Sequence, residues 1–125
     1  MIESDYVFLK IVYLMKEKAK NMKEVTVQEL KEMIDRNEDF QLIDVREPFE
    51  YEVSNLNGLN IPLAGIVIES DKVSKDKPVI IQCRSGKRSA QAVMLLEQQG
   101  FDNLANLTGG ILAWKDEIDP EMDVY

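Results

Sequence analysis

The most constraining stretch of the chain is Pro78-Val79-Ile80-Ile81-Gln82, an apolar and β-branched run that passes without a spacer into Cys83-Arg84-Ser85-Gly86-Lys87-Arg88. A helix-forming segment, Ser89 to Gln99, follows at once. The first run reads as a buried strand with a proline at its edge. In the last, Ala90, Val93 and Met94 line one face and Ala92, Leu95 and Leu96 the next, so the helix is expected to be largely buried and closed by Gly100.

The rest of the chain keeps the same alternation. Thr26-Val27-Gln28-Glu29 is a capping box that opens a helix through Ile34, with Leu30, Met33 and Ile34 on one face. Gln41 to Val45 reads as a buried strand, Glu47 to Glu52 as a short helix with Pro48 in its first turn, and Leu59 to Ile61 as a strand ended by Pro62. A short helix over Leu63 to Ile68 is weakly signalled. Leu104 to Leu107 is a last strand, Thr108-Gly109-Gly110 a turn, and Ile111 to Ile118 a final helix holding Trp114, which reads as core packing. Strands alternating with helices at this spacing imply an α/β fold, a mostly parallel central sheet covered by helices on both faces. At 125 residues the chain fits one compact domain, with no internal repeat or low-complexity tract.

Residues 1–20 stand apart as an N-terminal apolar helix or linker. Tyr6 to Met15 is apolar almost all round, then Lys16, Lys18 and Lys20 place cations near the negative end of the helix dipole. Two readings stay open: an extra helix packed on the domain, or a docking or self-association helix, because so broad an apolar surface is hard to hide on a small core. Lys10 interrupts the run, which is too short to span a bilayer. Glu3 and Asp5 stand where a secretory signal carries positive charge, so the expected compartment is the cytoplasm.

Composition removes whole classes of chemistry. With no histidine, Ser-His-Asp and Cys-His mechanisms and imidazole metal sites are excluded. With one cysteine, neither an intrachain disulfide nor a thiolate zinc cluster forms, and neither a metal nor a cofactor is expected. A net charge of −8 argues against nucleic acid and anionic membrane as partners.

Against that acidic background the loop concentrates three cations, Arg84, Lys87 and Arg88, within six residues. It lies at the carboxyl end of a strand, where parallel α/β sheets bind ligands. Gly86 permits the backbone turns that aim successive N–H groups inward as an anion-binding nest, and Ser89 is placed as N-cap of the helix. A free thiol of pKa about 8.5 is only a few per cent thiolate at pH 7. Helix N-termini and neighbouring cations lower that value to about 3.5–7.5, which makes Cys83 a nucleophile by electrostatics alone. The plainer view, a small buried hydrophobe, fits poorly with Arg-x-Gly-Lys-Arg following at once. Arg88, last in the loop, is expected to offer its planar fork of donors to a bound oxyanion, while solvated loop charge suffices for one of Arg84 and Lys87.

Four ordered landmarks then resemble a rhodanese-homology domain: Leu42-Ile43-Asp44-Val45-Arg46-Glu47, Gly58-Leu59-Asn60-Ile61-Pro62-Leu63, Cys83-Arg84-Ser85-Gly86-Lys87-Arg88-Ser89, and Leu107-Thr108-Gly109-Gly110-Ile111-Leu112-Ala113-Trp114. The resemblance covers about residues 25–118, and the rhodanese-like three-layer domain is assigned to residues 21–125. It implies sulfane-sulfur transfer through a persulfide on Cys83, from an anionic donor (thiosulfate or a desulfurase persulfide) to cyanide, a thiol or a protein acceptor. By the same resemblance, amides from Arg84 to Ser89 stabilise the persulfide and Arg84, Lys87 and Arg88 attract the donor. Cys-based phosphatases and arsenate reductases use a loop one residue longer, so that reading is disfavoured; a non-catalytic binding module of the same fold is the other alternative. The histidine of many rhodanese domains is absent from Glu50 to Leu59. That variant, with the ending from Trp114 to Pro120, is similar to rhodanese domains fused to adenylyltransferases of ubiquitin-like sulfur carriers, which implies such a carrier or its adenylyltransferase as partner. Asp44, Arg46 and Glu50 read as a structural ion-pair cluster near the strand ends.

Overall fold

The computed structural model describes residues 2–125, with side chains from Ser4 to Lys18 and from Asn21 onward. Along the chain run α1 (Ile2–Lys20), β1 (Glu24–Val25), α2 (Val27–Asp35), β2 (Gln41–Asp44), α3 (Pro48–Val53) and β3 (Leu59–Asn60). Two 3-10 turns (Leu63–Gly65 and Ser70–Lys72) lead to β4 (Val79–Gln82), α4 (Lys87–Gln98), β5 (Leu104–Leu107) and α5 (Gly110–Glu117). The strands form one sheet in the order β1-β5-β4-β2-β3, and every pairing is parallel.

Side-chain alternation along the strands builds the three layers. Val79 and Ile81 of β4, with Ile43 of β2, enter a core closed by Ala92, Val93 and Leu96 of α4. Ile80, Ala105 and Leu107 point the other way, into a second core with Leu30 of α2 and Trp114 of α5. Ile80 and Ile81 are both fully buried, each worth about 1.5–3 kcal/mol, and their adjacency fixes β4 as the central strand with a core on either side.

Local rules set most element ends. Thr26 caps α2 by accepting a hydrogen bond from the Glu29 amide at 3.1 Å. Glu47 and Glu50 form the capping box of α3 around Pro48. Past α4, Gly100 takes a left-handed φ of +96° while Phe101 N–H returns to the Leu96 carbonyl, the ending its glycine predicted.

Four expectations need correction. The central helix begins two residues early, at Lys87, and Gly86 rather than Ser89 is its N-cap. Its second face is less covered than its pattern suggested, since Leu95 stays exposed. The segment Leu63 to Ile68 contains only a 3-10 turn, and a further turn, Ser70–Lys72, had no sequence signal. The edge strand β1, two residues held by β5, was not foreseen. Of the two readings left open for residues 1–20, helix or linker, the structure has a helix, α1, and its apolar side chains stand largely in the open.

Candidate active site

Cys83 directly follows β4, the middle strand, so the loop that carries it sits over the carboxyl end of the sheet. The chain reverses at Gly86, whose φ of +103° is left-handed, and α4 starts at the next residue. That turn aims donors at the sulfur. The Gly86 amide donates to Cys83 Sγ at 3.1 Å and the Ser89 amide at 3.4 Å, while the Ser89 hydroxyl lies 3.3 Å away. Cys83 itself is 1% exposed.

The loop carbonyls are turned away and satisfied elsewhere. The Cys83 carbonyl accepts from the Ile111 amide at 2.9 Å and from Gln82 Nε2 at 3.0 Å. The Arg84 carbonyl accepts from the Leu112 amide at 3.1 Å. The N-terminus of α5 therefore holds the loop by its carbonyls and leaves its N–H groups free to face the sulfur. This contact is close: a Cβ on Gly110, which has a φ of +60°, would come within 2.5 Å of both carbonyl oxygens. Only glycine fits there.

Burial pushes the Cys83 thiol up, and this is the largest single influence on it. The Ser89 hydroxyl and the amides of Ser89, Gly86 and Ser85 together outweigh it and hold the thiol below its ordinary value. Hydrogen-bond donors and the opening of a helix do here what an imidazole does in Cys-His sites.

The site residues expected from sequence fall into three groups. Cys83, Gly86 and Ser89 converge on the sulfur; Ser89 is fully buried and acts by its side chain on the sulfur, not as a helix cap. Arg84, Ser85 and Lys87 are exposed on the rim, where Arg84 Nε donates to the Tyr125 carbonyl at 2.6 Å. Arg88 departs from expectation. Its fork grips Glu50, with contacts of 2.7 and 2.9 Å to the two carboxylate oxygens. This hydrogen bonding to Arg88 holds the Glu50 carboxyl below its ordinary value despite burial, and Glu50 in turn holds Arg88 charged.

Asp44 and Arg46 form a buried ion pair with an N–O distance of 2.8 Å. The rest of the Arg46 fork is taken up by the Ser54 carbonyl at 2.8 Å and the Glu50 carbonyl at 3.4 Å. A buried charge so fully partnered fixes the segment between β2 and α3, and Glu50 passes that order to the loop through Arg88. The residue that sequence reasoning missed is Asn106 on β5. Its Oδ1 accepts from the Ser89 hydroxyl and its Nδ2 donates to the Gly86 carbonyl at 3.2 Å, so one side chain fixes both residues that contact the sulfur. Its only sequence signal was a polar residue inside an otherwise apolar buried strand. Among the described residues no cluster of histidine, cysteine, aspartate or glutamate suits a metal ion.

A model of the rhodanese-like domain family matches residues 26–117. The chain belongs to the rhodanese-like family. Its curated relatives include a sulfurtransferase of Allochromatium vinosum, 39% identical over 92 residues that make up 73% of this chain and 86% of that protein. They also include the probable adenylyltransferase/sulfurtransferase MoeZ of Mycobacterium tuberculosis, 30% identical over 104 residues. That match takes in 81% of this chain but only 26% of MoeZ, so this chain spans about a quarter of that relative. Among solved structures, a rhodanese-like domain protein of Staphylococcus aureus superimposes with a TM-score of 0.71 at 32% identity, covering 83% of this chain and 99% of that one. Membership in this rhodanese-like family and the sulfurtransferase names of its relatives assign the chain to sulfur transfer in general.

Proposed function

We propose that this rhodanese-like domain is a sulfurtransferase that works through a persulfide on Cys83. The thiolate attacks the outer sulfur of thiosulfate, forming the Cys83 S–S bond and releasing sulfite with the electron pair of the broken bond. The persulfide then gives its terminal sulfur to a nucleophile such as cyanide or a thiol, and the Cys83 thiolate is regenerated. A cysteine desulfurase persulfide serves as donor by the same displacement, with a thiol as leaving group.

The observation that carries this reading is the set of groups around Sγ: two backbone amides that donate at 3.1 and 3.4 Å and the Ser89 hydroxyl at 3.3 Å, on a thiol held below its ordinary pKa. They suit a compact sulfur anion. A tetrahedral oxyanion calls in addition for a cationic fork at the mouth, and Arg88 is committed to Glu50. Arg84 and Lys87, exposed on the rim, supply the attraction for an anionic donor on a chain of net charge −8.

The chain has one cysteine, so no second thiol within it can resolve the persulfide, and the sulfur leaves to an outside acceptor. Relatives that join this domain to an adenylyltransferase favour a protein acceptor, namely a ubiquitin-like sulfur carrier or its adenylyltransferase. A thiol that must stay reduced to react favours the cytoplasm as its compartment.

Intact-protein mass spectrometry after incubation with thiosulfate tests the mechanism. The wild type should gain one sulfur atom, cyanide should remove it, and Cys83→Ser should gain nothing. An adduct that persists in Cys83→Ser sinks the proposal. Absence of an adduct with both thiosulfate and a loaded desulfurase would leave the fold as a binding module.

A further inference from the structure

α1 is accounted for neither by the sheet nor by the family match, which begins at residue 26. From Tyr6 to Met15 its large apolar side chains, Val12 excepted, remain between 45% and 66% exposed, Phe8 and Leu9 most of all. An apolar surface of that extent marks an interface. No helix among the described residues is long and apolar enough to cross a membrane.

The charge pattern indicates what covers it. A helix lying on a bilayer carries its charges along one side. In α1 they gather at the two ends instead, acidic at Glu3 and Asp5 and net basic at the other, where Lys16, Lys18 and Lys20 outnumber Glu17, with Lys10 the single charge between Tyr6 and Met15. Two such helices running antiparallel set each acidic end beside a basic end and oppose their dipoles favourably. The shape agrees. Ile11, Leu14, Met15 and Lys18 recur at helical spacing and, with Gln98 of α4, line an open groove of about 380 Å³. With Ile11 on a two-fold axis, Val7 of one copy meets Met15 of the other and Phe8 meets Leu14, a self-complementary apolar seam.

We propose that the partner of α1 is α1 of a second copy of this chain, packed antiparallel about Ile11 with its apolar seam in the groove between α1 and α4. Gln98 lies at the far end of α4 from the Cys83 loop, so the pairing leaves both sulfur sites open. The inference is independent of the sulfur chemistry.

Sedimentation of the full chain tests it, at roughly 100 µM, above the micromolar dissociation constant suited to a small interface. The wild type should sediment at twice the 14.3 kDa chain mass, and Ile11→Glu, which sets two like charges face to face on the axis, at the chain mass. In a Cys83→Ser background, which removes the only native thiol, Ile11→Cys should form an intermolecular disulfide under mild oxidation and Ser4→Cys should not. A monomeric wild type overturns the proposal, and flotation of that monomer with anionic phospholipid vesicles would assign the face to a bilayer surface. Cross-linking at Ser4→Cys but not at Ile11→Cys overturns the antiparallel geometry. A dimer that survives Ile11→Glu and cross-links at neither position excludes α1 as the interface.

Discussion

Ser89→Ala separates the contribution of the hydroxyl from that of the amides around Cys83. The Ser89 side chain is fully buried with its Oγ 3.3 Å from the sulfur, and its amide, 3.4 Å away, stays in place when the side chain is truncated. A hydrogen bond to a charged group is worth about 1.5–3 kcal/mol. Losing it should make thiolate formation at Cys83 roughly ten- to a hundredfold less favourable, which moves the thiol up. The assay is the rate of iodoacetamide alkylation as a function of pH, paired with the ultraviolet absorbance of the thiolate, which needs no access to the sulfur. The midpoint should move up in Ser89→Ala while the rate at the alkaline plateau changes little. Stability should fall as well. The one hydroxyl proton serves Asn106 Oδ1 when Cys83 is a thiol and Sγ when it is a thiolate, so truncation also leaves Asn106 Oδ1 without its buried donor in the thiol form, at a cost of about 1–3 kcal/mol. The pH dependence of that loss has a definite sign. Since Cys83 is depressed in the folded protein, the stability it contributes is present above the unfolded thiol value of about 8.5 and is lost as pH falls through the folded value. The gap between wild type and variant in urea denaturation should therefore widen as pH rises toward that value. A folded Ser89→Ala protein whose alkylation midpoint is unchanged or lower would refute the assignment of the hydroxyl as a donor to the thiolate.

Two further substitutions test the supports of the loop. Glu50→Gln removes the charge from a two-point contact with Arg88, a residue about one third exposed, and should cost about 1–2 kcal/mol at neutral pH after screening. Because the Glu50 carboxyl is held down chiefly by Arg88, this stabilisation is complete above the ordinary glutamate value of about 4.3 and lost as pH falls through the folded value. Urea curves of the two proteins should converge in acid; a difference that persists there contradicts the pairing. Gly110→Ala puts a Cβ 2.5 Å from the Cys83 and Arg84 carbonyls at a left-handed φ, and should cost at least about 3 kcal/mol and lift the Cys83 alkylation midpoint. Gly100→Ala has a similar φ sign but nothing within 4 Å of its Cβ, so it should cost about 1–2 kcal/mol and leave alkylation unchanged. Equal thermal shifts for the two alanines would show that the tight approach at Gly110 carries no weight.

The central strands were legible because burial on both faces writes itself into composition: Val79 to Gln82 and Leu104 to Leu107 have no room for alternation with charged residues. β1 was not, because two residues carry no period, and only the free edge of β5 makes Glu24 and Val25 a strand. Ser89 shows how a sound local rule is overridden. A serine ahead of an apolar helical run is ordinarily a cap. Here the loop must close around Sγ, which needs the left-handed turn at Gly86 three residues earlier, so the helix starts at Lys87 and the serine lands inside its first turn, against the sulfur. Arg88 was misjudged for a related reason. Sequence shows a cation beside a candidate nucleophile, but its direction depends on a carboxylate 38 residues away on α3, which the buried Asp44–Arg46 pair helps to hold near. Sequence thus singled out the groups that the proposed chemistry uses, since thiol, glycine and cations are types with few other uses in that spacing. Which of them point at the sulfur was decided by Asn106, Glu50 and Gly110, residues on other elements whose types alone promise nothing. For the proposed mechanism the consequence is specific: the loop around Cys83 is held by Asn106 on β5, Glu50 on α3 and Gly110 on α5, so a substitution at any of the three should retune the thiol without touching its own loop.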